Sequence, residues 1–119
     1  MNLEDALALI IKEARSSGDS LLGKVRGGED PGSERMYQLI EALKTLFHSI
    51  NGHVELNRQL ASALFTLGSD VPLTISSLAS RGQIWRKGFM EVEVYELLVG
   101  VQSIFEDRWF VDEPTETVH

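Results

Sequence analysis

Cysteine is absent from this sequence. That excludes disulfide frameworks, zinc-thiolate and iron–sulfur sites, and any thiol nucleophile. Long apolar runs are missing too: no stretch approaches the roughly 18 uninterrupted apolar residues of a membrane span. The amino end, Met-Asn-Leu-Glu-Asp-Ala-Leu, places two acids where a secretory leader needs positive charge, so a cytoplasmic address is expected. Bases are the scarce charge, 11 against 18 acids, for a net −7. Such a field repels phosphate backbones and favours neutral or basic partners.

Signatures of chemistry are also wanting. Histidine occurs only at positions 48, 53 and 119. The pair of Glu-x-x-His motifs that a di-iron bundle needs is missing, as is His-Glu-x-x-His. His48, beside Phe47, is the one candidate for an axial haem ligand, and a lone helical histidine among apolar neighbours is ordinarily structural. There is no Gly-x-Ser-x-Gly elbow and no Gly-Lys-Ser/Thr phosphate loop. Glu91, Glu93 and Glu96 crowd one segment, but acids on a helix are usually solvated. No catalytic, metal or cofactor residue is therefore assigned, and an enzyme is not expected.

What the sequence does contain is helical periodicity. The 119 residues suit one domain, and 43% hydrophobic with 24% charged residues is an ordinary globular composition. Residues 3–15 carry Leu3, Leu7, Ile10, Ile11 and Ala14 at helical spacing, with Asn2 as a cap. After a Ser33 cap, Met36, Leu39, Ile40, Leu43, Leu46, Phe47 and Ile50 form a second stripe, which Asn51-Gly52 ends. A third helix is predicted over 53–67 on Leu56, Leu60, Ala63, Leu64 and Leu67, with Gly68 as its stop. The short connection predicts an antiparallel hairpin of these two. Pro72 suits the first turn of a shorter helix carrying Leu73, Ile75, Leu78 and Ala79, closed by Arg81-Gly82.

Two segments are harder to read. Residues 16–33 hold five glycines, four serines and a proline, and read as a long flexible loop with at most a short turn at Leu21, Leu22 and Val25. Within 89–107, Glu91-Val92-Glu93-Val94-Tyr95-Glu96 alternates like a strand. The longer stripe of Met90, Val94, Leu97, Leu98, Val101, Ile104 and Phe105 favours a helix. Residues 111–119 lack a core pattern and are expected to be a disordered tail. The expected fold over 1–110 is thus an all-α bundle of four to five helices.

The last helix would carry a second apolar strip, Val92, Tyr95 and Val99. A helix apolar on two sides is either central in its bundle or paired with another chain. Tryptophan is enriched at binding hot spots, which adds Trp85 with its neighbour Arg86. The expected function is a small protein-binding module acting through Trp85, Arg86, Val92, Tyr95 and Val99. Its partner would be another protein or itself: a homodimer, adaptor, antitoxin or immunity-type protein. The alternative is a winged helix-turn-helix over 72–88, with Arg81, Arg86 and Lys87 facing nucleic acid. The low isoelectric point and the acids that follow weigh against it.

Overall fold

The computed structural model describes residues 1–16, 18–50, 56–106, 108, 109 and 111. Helix α1, Leu3–Glu13, begins as its sequence suggests: the Asn2 side chain accepts the Asp5 N–H at 2.8 Å, and Glu4 and Asp5 occupy the positive first turn. It presents Ala6, Ile10 and Glu13 inward. Residues 16–33, expected as a long flexible loop, instead carry α2, Leu21–Arg26. Six residues form a helix here because both ends are satisfied. The Ser20 hydroxyl accepts the Gly23 N–H, and beyond the last turn Glu29 N–H and Gly28 N–H donate to Lys24 and Val25 carbonyls. Gly28 takes the left-handed φ of 75° that this C-terminal motif requires. Leu21, Leu22 and Val25 are buried, so the short element is anchored in the core.

Helix α3, Ser33–Ile50, buries Met36, Leu39, Ile40, Leu43, Leu46 and Phe47 as the stripe predicts. It packs chiefly on α1 and on the last helix, while α4, Arg58–Phe65, packs on α1. The expected α3–α4 hairpin is therefore not a closely packed pair among the described residues, and its turn at 51–55 lies outside them. Gly68 does not stop the third helix. The chain continues from α4 through a π turn, Thr66–Asp70, into α5, Val71–Ser80, so 58–80 is one helical run. The glycine is there for packing: a Cβ on it would sit 2.8 Å from Val101 Cγ1. A π turn accommodates an extra residue without breaking the helix. The run ends at Gly82, where Gln83 and Gly82 N–H groups donate to Leu78 and Ala79 carbonyls.

The last segment is helical, not sheet: a π turn, Phe89–Val94, leads directly into α6, Tyr95–Glu106. The strand-like alternation of 91–96 coincides with that π turn, whose wider spacing places Phe89, Glu93 and Val94 inward together. The chain is thus all-α, with five continuous helical runs and no strand among the described residues. Among them, no helix is long and apolar enough to cross a membrane. Apart from Val111, the tail expected to be disordered lies outside the described residues.

Candidate partner-binding surface

The residues expected to meet a partner divide into two groups. Trp85 and Arg86, both half-buried, are committed to contacts within the chain. The Trp85 indole N–H donates to the Ile75 carbonyl at 3.2 Å and its ring packs 5.3 Å from Phe89. This ties the 83–88 loop to α5, the ordinary way a buried indole satisfies its one donor. Arg86 is the centre of an ionic knot. Its guanidinium donates to both oxygens of Glu93 (2.8 and 2.9 Å) and to both of Asp30 (2.8 and 3.2 Å), and lies 5.4 Å from the Phe89 ring centre. The Ser33 hydroxyl donates to Glu93 at 2.7 Å instead of capping α3. Hydrogen bonds from Arg86 hold the Asp30 and Glu93 carboxyls below their ordinary pKa values, and the two carboxylates push the arginine upward.

A second knot braces the other end of α2. The buried Glu13 carboxylate accepts the Leu21 N–H at 2.9 Å and Arg35 Nη1 at 2.7 Å, and Arg35 also pairs with Asp19. Glu13 and Arg35 line a cleft of about 460 Å³ with Lys12, Gly32 and Gln38. Both known partners of this carboxylate are structural, joining α1, α2 and α3. Neither buried acid was evident as such from the sequence, yet a signal existed. Glu13 falls in register with Ala6 and Ile10, and Glu93 with Phe89 and Leu97, so helical spacing already pointed both inward.

The bases of the segment expected as a winged helix-turn-helix have different surroundings. Among the described residues no strand follows α5, and Arg86 is committed to two carboxylates. Arg81 lies on a shallow groove of about 340 Å³ with Arg26, Leu73, Thr74, Ser77 and Leu78. Each of those arginines ends a helix, where a cation offsets the negative pole of the helix dipole. Of the histidines, His48 is exposed and edge-on to Phe47, while 53 and 119 lie outside the described residues. Among the described residues no group of His, Asp or Glu is arranged to hold a metal ion.

The remaining candidates do share a surface. Val92 and Tyr95 are exposed and Val99 is half-buried. Two residues assigned to the core stripe, Leu98 and Phe105, are exposed as well. Tyr95, Leu98, Gln102 and Phe105 recur at intervals of three and four, forming one outward helical face, with Val92 and Val99 beside it. The inward side of the same run holds Phe89, Val94, Leu97, Val101 and Ile104, and fixes the helix against α3 and the 66–70 turn. Phe89 starts the buried stripe, and Met90 is only half-buried. Gly88, at φ 86°, starts this run, and its N–H donates to the Glu91 carboxylate at 2.8 Å. No protein-family model, curated protein or solved structure matches the chain.

Proposed function

We propose that this protein is a protein-binding module whose contact surface is the outer face of α6 and the turn before it: Val92, Tyr95, Leu98, Val99 and Phe105. One observation carries the reading. Four of the ten large apolar side chains exposed among the described residues lie on this single helical run. Scattered exposed hydrophobics need no explanation, whereas a contiguous apolar patch marks an interaction site. The helix is held rigidly from behind by its buried stripe, so the face is available without ordering a loop, which lowers the entropic cost of binding. Trp85 and Arg86 support the surface from within by fixing the 83–88 loop and the start of the run.

Tyrosine offers an internal control for the test. Tyr95 is 58% exposed on this face, and Tyr37 is 53% exposed on α3. Each is replaced in turn by a photo-crosslinking phenylalanine analogue, and cells expressing the chain are irradiated. Discrete protein adducts from position 95, absent from position 37, are expected. Equal labelling from both positions, or none from 95, would remove the proposal.

A further inference from the structure

We infer that the partner seated on the outer face of α6 is a basic amphipathic helix, an inference that rests on the binding face proposed above. The argument is charge complementarity along the helix. Between Lys87 and Arg108 the sequence holds no Lys, Arg or His. Glu91 and Glu106, both exposed, stand at the two ends of the apolar strip that runs from Val92 to Phe105. Among the described residues neither carboxylate has an ion-pair partner: Glu91 accepts the Gly88 N–H, and Glu106 accepts Gln102 Nε2 at 3.1 Å. Glu93, whose charge Arg86 does match, is buried on the other side. The strip is about 20 Å long at the usual rise of an α-helix, which suits four turns of a facing helix.

A second copy of this chain is the wrong occupant for such a rim. Two-fold pairing of α6 against α6, antiparallel, brings Glu91 of one copy to the Glu106 end of the other, so that carboxylates meet at both ends. Parallel pairing matches each acid with itself. Lysine or arginine at the ends of a partner's apolar stripe instead gives opposite charges there, and steers association at low salt.

The probes are three synthetic amphipathic peptides of about 18 residues, enough to cover the strip. They share one leucine–alanine stripe and differ only in having lysine, glutamine or glutamate at every other position. Binding to the full chain is followed by fluorescence anisotropy at low and near-physiological salt. The lysine peptide is expected to bind about tenfold more tightly than the glutamine peptide, with the preference shrinking as salt screens the rim. Two variants locate the effect. Glu91→Gln with Glu106→Gln should abolish the preference, so that lysine and glutamine peptides bind this variant alike. Tyr95→Ser with Leu98→Ser keeps net charge and should weaken all binding about tenfold or more. If lysine and glutamine peptides bind wild type equally, the basic-partner inference is overturned and the face survives. Should the serine variant bind the lysine peptide as well as wild type does, the face itself is refuted. Sedimentation equilibrium is expected to show a 13.3 kDa monomer; a dimer broken by the serine variant would assign the face to a second copy.

Discussion

Arg86 is the residue on which most charge in this fold converges. Its removal leaves the buried Glu93 carboxylate with only the Ser33 hydroxyl, while Asp30 keeps the Gly32 N–H. Breaking one side of a buried pair leaves an uncompensated charge in the interior, whereas removing both sides can be nearly neutral. Arg86→Met is therefore expected to lower unfolding free energy by about 2–3 kcal/mol, below the fully buried range because Arg86 and Asp30 are each about a third exposed. Arg86→Met with Glu93→Gln should recover much of that loss in urea titrations, and a double mutant no more stable than the single would refute the account. The same knot sets an acid limit. In the unfolded chain Glu93 and Asp30 take up protons near 4.5 and 3.8, and in the folded chain only at lower pH. The unfolded state thus binds more protons through this interval, so the contribution is complete above about pH 5 and is lost as pH falls through the folded values. Urea midpoints measured from pH 6 down to 3 should fall less steeply in Glu93→Gln than in wild type.

At the scale of elements, Gly68 separates two readings of a helical glycine. In sequence it looks like a stop, because glycine ends helices and weakens their interiors. In the structure it lies within a continuous run, and Val101 of α6 occupies the space a Cβ would need. Gly68→Ala should gain helix propensity of up to about 1 kcal/mol but meet Val101 at 2.8 Å. The clash is expected to win, for a net loss of about 1–2 kcal/mol. Pairing it with Val101→Ala should make the two changes non-additive, the double mutant being more stable than the sum predicts. Additive losses would mean the glycine serves the π turn and not the contact. Position by position, the helical stripes were legible in the sequence because hydrophobic spacing is local information, and α3 buries nearly the set its pattern names. What was not legible depends on distant atoms: whether Gly68 breaks or packs, and whether six residues around Leu21 can stand as a helix. The first was settled by Val101 on α6, the second by Glu13 on α1 accepting the first N–H of α2. The candidate site was half legible for the same reason. Val92, Tyr95 and Val99 follow from spacing alone, but only the fold reveals that Trp85 and Arg86 face inward partners and that Leu98 and Phe105 do not.

For the whole molecule the decisive contrast is between two adjacent leucines. Leu97 is completely buried and Leu98 is exposed, though both are leucine on one turn of α6. Leu97→Ala removes core methyl groups and leaves a cavity, so a loss of about 2–5 kcal/mol is expected. Leu98→Ser removes no packed neighbour from the core, and its effect on stability should stay within about 0.5 kcal/mol of zero. An outward leucine that contributes little to the fold still adds apolar surface to a chain carrying net −7, with attendant aggregation risk. A Leu98→Ser chain that folds normally, as judged by circular dichroism and thermal melting, yet loses the position-95 crosslinks would separate binding from folding. A melting temperature lowered as far as that of Leu97→Ala would instead show that Leu98 supports the bundle, and the outer face of α6 would then lose its claim to be a surface held open for a partner.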